Sequence, residues 1–395
     1  MRHIIETERV DIFDVNMMIV MQLRLNAEAG LEELRKAFDG ACAVHEVLHS
    51  KVVIEASGDA YYVDNDEPQN SFTQTESDLR ELIYQNERRR FRIEKGEFIR
   101  GFSSPDGLIF MMHHLGGDGK SLLYFIESFM RILNGEECEA VPFRNLTLAD
   151  LPPKSRLPVL YDVLIKIWNR KWQRVKRGFD IHDLDEAFSA FWKEHKTGVE
   201  IKRYEKNELE DMLRQAKKAG VSLTAYLITE WIKDAGTETD IGLAVGGRED
   251  GNRSMGNQAT GISVQYRYRT NRSFEENARE VHRRMLKKLS DERYLYFVLQ
   301  FMGKLDPTLK DAMNMERSGY FTSVVSSKVA GLLGYGDKVR DISITNLTKA
   351  DIPLKYGRYS IEDIVFVPPV VSYGKNIIGI VTAGDVMNIA RHVYT

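Results

Sequence analysis

Cysteine is almost missing from this chain: Cys42 and Cys138 are the only two among 395 residues, far apart and without any CxxC or Cys/His spacing. That excludes a disulfide framework and a zinc-ribbon site and fits a reducing compartment. Long apolar runs are missing too. The best of them, residues 15–25, is interrupted by Asn16, Gln22 and Arg24, so no membrane span is expected. The opening MRHIIETERVDIF carries charge where a secretory leader needs an apolar stretch, and a cytoplasmic location is expected. A surplus of one charge is absent as well: the formal net charge of -3 gives no general attraction to a polyanion and argues against nucleic acid as the main partner. What is present, 43% hydrophobic and 29% charged residues over 395 positions, is the balance of a globular chain large enough for two domains or two lobes.

Periodicity predicts a strand over residues 17–25, a helix over 31–43 with Leu31, Leu34, Phe38 and Ala41 on one face, a hairpin from Val52–Ile54 and Ala60–Val63, and a buried strand over Leu108–Met112. After Gly119 the spacing of Leu122, Phe125, Ile126, Phe129 and Leu133 predicts a helix with a broad apolar face, capped by Asp118. Prolines 142, 152, 153 and 158 break the pattern and mark a connecting segment. Beyond it come an amphipathic basic helix over 159–179, a strand over Val199–Tyr204 and a helix over Glu208–Ala219. Strands are then expected at Gly261–Tyr268, Asp341–Ile344, Ile361–Val367 and Asn376–Thr382, and a charged helix at Phe274–Leu289. The expected division is an N-terminal lobe over 1–180 and a C-terminal lobe over 196–395, both of mixed α and β structure; a strand–helix pattern recurs in each.

Four motifs compete in the first 121 residues. His45-Glu46-Val47-Leu48-His49 spells HExxH, but no third metal ligand follows it, and the stretch reads as the end of a helix leading into a strand. Gly119-Lys120-Ser121 imitates the end of a phosphate loop, yet the required first glycine is His114. Leu115-Gly116-Gly117-Asp118 imitates a pantetheine attachment motif but has Gly119 where the serine belongs. What remains is His113-His114-x-x-x-Asp118-Gly119 on a strand-to-helix loop. Its bland alternative is a pair of strand-end histidines before a capping aspartate.

An imidazole titrating near neutrality takes a proton from a hydroxyl or amine at physiological pH if its loop holds it in one tautomer. His114 is the expected general base, with His113, Asp118 and Gly119 completing the catalytic loop. The glycines permit a tight path, while Asp118 caps the helix and pairs with a cation elsewhere, a structural role more than a chemical one. No Ser or Cys nucleophile with a nearby His and acid is apparent, so direct attack on a thioester without an acyl-enzyme is the simpler scheme. Backbone N–H groups at the helix start near Gly119 would help hold the oxyanion.

On these residues the sequence resembles the chloramphenicol-acetyltransferase-like superfamily, in its condensation-domain and alcohol-acyltransferase branches, over nearly the whole chain. Alongside HHLGGDG, the resemblance is carried by AVHEVLHSKV after the first helix, LEDMLRQAKKAGVSLTAYLITEWI, Gly246-Gly247-Arg248, Met255-Gly256-Asn257 and Ser343-Ile344-Thr345-Asn346. It implies an α/β fold of two similar lobes in a V, with the active site in a tunnel between them. It also implies an ion pair between Asp118 and an arginine, for which Arg248 is the candidate, and a channel role for Thr345 and Asn346. The plant-type Asp-Phe-Gly-Trp-Gly motif is absent, with only Lys355-Tyr356-Gly357 near its place. The glycine usual after the Ser-Asn stretch is replaced by Leu347-Thr348.

The expected activity is therefore acyl transfer from a thioester to a hydroxyl or amine. No tightly bound cofactor and no metal are expected; acyl-CoA or a phosphopantetheinyl acyl or peptidyl carrier protein serves as co-substrate. The alternative is a catalytically inactive binding module on the same fold. Two basic helices complete the reading. One carries Lys166, Arg170, Lys171, Arg174, Lys176 and Arg177 beside Trp168 and Trp172, and suits an acidic carrier protein, a CoA phosphate, an anionic membrane or plain solvent. In the other, Arg279, Arg283, Arg284, Lys287 and Lys288 alternate with glutamates.

Overall fold

A computed structural model describes residues 2–175, 177–333, 340–371 and 374–395. Lys176 of the basic helix lies outside the described residues.

Two six-stranded sheets organise the chain. Across the first run Lys355–Tyr356, Tyr359–Val367, Met18–Leu25, Gly107–His113, Ile99–Ser104 and Ser71–Gln74; only the last pair is parallel. Across the second run Ala259–Arg267, Glu238–Gly246, Ile342–Lys349, Asn376–Ala383, Val386–Tyr394 and Thr197–Tyr204, with Ile342–Lys349 parallel to both its neighbours. A small sheet joins Arg2–Ile4, Ala60–Asp64 and Ser50–Ile54, so the expected hairpin is present. Helices cover both large sheets, giving the mixed α/β architecture expected.

In the first core, helices Leu31–Val44 and Gly119–Leu133 lie together. Phe38, Phe110, Phe125 and Phe129 interlock there, with ring centroids 5.7 Å apart for Phe38–Phe125 and 5.1 Å for Phe110–Phe129. Such edge-on pairs add to the area term of burial. The second core gathers Ile228, Ile241, Val264, Ile344, Ile380 and Met387 under helices Leu223–Ile232 and Phe274–Leu289.

Residues 196–395 do not keep to one sheet. Tyr359–Val367 crosses into the first sheet and pairs with Met18–Leu25, and Phe301, Leu309, Met313 and Val329 pack in the first core. The cause is in the sequence: Asp363–Val367 is buried on both faces, so this strand needs neighbours on each side. It packs on Asn376–Ala383, where a Cβ on Gly379 would stand 2.4 Å from the Phe366 carbonyl oxygen.

The basic helix expected over 159–179 ends earlier, as Val159–Val175. Phe179 turns inward against Phe13 and Phe321, at 6.3 and 5.3 Å, and Asp180 already caps the next helix, Ile181–Glu194. Trp172 is fully buried and donates to Thr308 Oγ1 at 2.8 Å, and Trp168 packs on Phe301. Trp172 is thus a core residue, and Trp168 is partly buried against that core. Among the described residues no helix is long and apolar enough to cross a membrane.

Candidate active site

Strand Gly107–His113 delivers the two histidines to the loop, and helix Gly119–Leu133 begins directly after it. His113 closes the strand and His114 opens the short 3-10 turn that follows it. His113 is buried; its Nδ1 accepts from the Leu115 N–H at 3.2 Å and its ring lies 5.9 Å from that of Phe91. Burial, then the neighbouring His114, Arg90 and Arg100, pull its pKa down to about 3, so it is a neutral ring that fixes the loop. The small cavity beside it, about 20 Å³ between Met17, Phe91 and Leu184, has room for little more than a water.

His114 is only half-buried, and its main-chain N–H donates to the Met17 carbonyl at 2.8 Å. Its Nδ1 is sealed and bonds to no other side chain. Burial lowers its pKa below the ordinary histidine value, opposed by the Asp118 carboxylate and by its own backbone. A neutral imidazole at neutral pH follows, the state a general base requires.

Asp118 has no acceptor capacity to spare. It accepts from the Ser121 N–H at 2.9 Å and the Ser121 hydroxyl at 3.1 Å as helix cap, and from the Gln258 N–H at 3.1 Å. The guanidinium of Arg248 lies 3.1 Å from both carboxylate oxygens. Arg248 also donates to Ser121 Oγ at 2.9 Å, to the Gly256 carbonyl at 3.1 Å and to the Ser254 carbonyl. Its Nε is buried without a partner. One arginine thereby ties the His-loop to the Ser254–Gln258 turn, and both ends of the pair are nearly closed to solvent.

The glycines are set by space. Gly117 has φ +145°, and a Cβ there would meet Ser121 Cβ at 2.3 Å; a Cβ on Gly119 would meet Leu347 Cδ2 at 2.9 Å. Gly119 thus touches Leu347 from the second sheet, which places the loop where the two sheets adjoin. Gly117→Ala is expected to destabilise the fold by about 2 kcal/mol, since that backbone region is open essentially to glycine alone; thermal melting checks it, and an unchanged melting temperature would contradict it.

Thr345 and Asn346 lie on strand Ile342–Lys349, whose ladder is irregular after Asn346. The Asn346 side chain donates to Thr224 Oγ1 at 3.0 Å and accepts from the Thr348 N–H at 2.7 Å. Thr348 carries φ +59°. Asn346 therefore holds this unusual turn with both ends of its amide.

The other sequence motifs come apart. His45 is buried, with Nε2 3.1 Å from Ser128 Oγ, whereas His49 is exposed and Glu46 accepts from the Phe143 N–H. These groups diverge and share no ligand position. Lys120 is spent on Asp351 at 3.2 Å. His45 has its pKa lowered to about 4, chiefly by burial. A depressed histidine pKa gives stability that is present above the unfolded value of 6.5 and lost as pH falls toward 4. Wild type is therefore expected to lose on the order of 3 kcal/mol more than His45→Gln between neutral pH and pH ~4; urea unfolding at the two pH values measures the difference, and parallel losses would contradict it.

Sequence reading missed a polar group beside the loop. The turn Arg9–Ile12 packs on His114–Gly116 and brings Glu8 and Asp11 with it, both buried. The Tyr62 hydroxyl lies 2.8 Å from Glu8 Oε1 and 2.9 Å from the Leu115 carbonyl. Burial, then Asp11, pushes the Glu8 carboxyl well above its usual range, and burial with Asp14 raises Asp11 to about 8. Nothing in TERVDIF distinguishes these residues from a solvated start, because every partner is distant in sequence.

No family model matches the sequence, and no curated protein matches it. Solved structures do. The chain is similar to the condensation domain of the monacolin K polyketide synthase MokA, with 12% identity, 100% of this chain and 92% of that chain covered, and a TM-score of 0.64. It is similar to a trichothecene 15-O-acetyltransferase from Fusarium sporotrichioides, at 12% identity, 99% and 91% coverage and a TM-score of 0.65. It is also similar to polyketide synthase associated protein 5 from Mycobacterium tuberculosis, at 14% identity, 98% and 92% coverage and a TM-score of 0.61. At such identities the likeness is one of fold: the chain has the fold of these condensation-domain and acetyltransferase structures.

Proposed function

We propose that the chain transfers an acyl group from a thioester, acyl-CoA or an acyl-carrier protein, to a hydroxyl or amine, with His114 as general base. The observation that carries this reading is the neutral, half-buried His114 held on a loop whose Asp118 is locked by Arg248 from the other half of the fold. In this scheme the acceptor oxygen or nitrogen attacks the thioester carbonyl as its proton passes to His114. The tetrahedral intermediate then collapses, the C–S bond breaks, and the departing thiolate recovers the proton from the imidazolium. The Gly119 and Lys120 N–H groups have no partner within their helix and would face the developing oxyanion. No metal and no tightly bound cofactor enters the scheme.

The fold likeness to condensation and acetyl-transfer proteins supports the reaction class; donor and acceptor are this proposal's own terms. A panel of acyl-CoA and acyl-carrier donors with pooled alcohols and amines tests it through release of free thiol. Acceptor-dependent release is the expected result. Release without acceptor would indicate hydrolysis, and tight ligand binding with no release from any donor would replace the enzyme by a binding module.

A further inference from the structure

The two basic helices, alike in sequence, differ in the fold. On Phe274–Leu289 four of the five cations are engaged: Arg283 and Arg284 pair with Glu280 at 2.7 and 2.9 Å, and Arg279 and Lys288 donate to main-chain carbonyls, leaving Lys287 exposed. On Val159–Val175, Lys166, Arg170, Lys171 and Arg174 all point outward, and none pairs with a described residue. The helix's one acid, Asp162, is paired with Lys304 at 2.7 Å. The outward face therefore carries four uncompensated positive charges and no negative one.

The same face is apolar. Val159, Val163 and Ile167 at four-residue spacing are 78%, 47% and 42% exposed, and Leu160 is 67% exposed. Five of the thirteen large apolar side chains exposed among the described residues fall on this helix, a concentration that isolated surface hydrophobics do not produce. The neighbouring helix Val324–Leu332 packs against it and leaves Val324 and Leu332 exposed at 73% and 53%, with Lys328 outward between them.

We propose that this outward face docks the protein on an anionic membrane surface. The charge is local, since the whole chain is net -3, so attraction would orient the molecule with this helix toward the lipid. The apolar residues are exposed and are interleaved with the cations along one face of the helix. A lipid interface takes both at once, phosphates meeting the cations while the aliphatic groups enter the acyl boundary. A groove in a protein partner would have to bury those cations among the apolar groups.

Flotation of the full chain with phosphatidylcholine vesicles, and with equal parts phosphatidylcholine and phosphatidylglycerol, tests the proposal. Binding to the anionic vesicles alone, falling with salt, is expected. Lys166→Glu with Arg170→Glu should weaken it at least about tenfold, and Val163→Ser with Ile167→Ser should weaken it with all charges kept. Lys287→Glu on the other helix should leave it unchanged. Absence of anionic-vesicle binding overturns the proposal, as does binding indifferent to both double variants. Loss of vesicle binding combined with capture of an acidic carrier protein that Lys166→Glu/Arg170→Glu abolishes would make the face a protein-docking surface instead.

Discussion

Arg248→Ala is expected to cost about 3–5 kcal/mol of stability and to remove most activity, because it leaves the Asp118 carboxylate buried and unpaired. The arginine closes five contacts at once, two to Asp118 and one each to Ser121, Ser254 and Gly256. Removing it strips the turn at Gly256 as well as the charge. Arg248→Lys should recover part of the stability but not the geometry, since an ammonium cannot reach that set of acceptors together. Asp118→Asn keeps a cap on helix Gly119–Leu133 yet strands the guanidinium, so it too should destabilise. Denaturant unfolding of the three variants measures the order; wild-type unfolding and activity in Arg248→Ala would contradict it.

His114→Ala is expected to lower turnover about a thousandfold, within the range general acid–base groups contribute, while melting close to wild type. The ring makes no hydrogen bond to another side chain, so its loss breaks no network. Gln in place of His113 should instead act mainly on stability and loop order, because that ring accepts the Leu115 N–H from a closed pocket. The contrast between adjacent histidines separates a chemical role from a structural one. Equal activity losses with equal unfolding in both would deny His114 its separate role.

Elements with a clean period were legible from sequence. Helix Gly119–Leu133 shows its apolar face openly, and the His-loop sits in one continuous stretch. Strand Val386–Tyr394 went unread because Asn388 and His392 occupy buried positions: Asn388 donates to Asp363 and the Ile364 carbonyl, and His392 faces the Pro368 carbonyl and Glu87. Satisfied polar groups inside a sheet erase the alternation that marks a strand. Strand Glu238–Gly246 was hidden because Asp240 and Gly242 interrupt its short apolar run, Gly242 lying under Arg340. Arg248 was reachable only through the resemblance, since an ion pair 130 residues apart leaves no local trace. The crossing of Tyr359–Val367 into the first sheet is likewise a matter of long-range pairing.

The measurement that bears most directly on this account is acceptor-dependent thiol release followed against pH, in wild type and in folded His114→Ala. With the His114 pKa lowered by burial, the rate should rise through an acid limb lying below pH 6.5 and stay level above it, because the neutral ring is the active form. In His114→Ala that limb and nearly all the rate should vanish together. Wild-type rates with the same acid limb in His114→Ala would contradict the account, placing the base on another group.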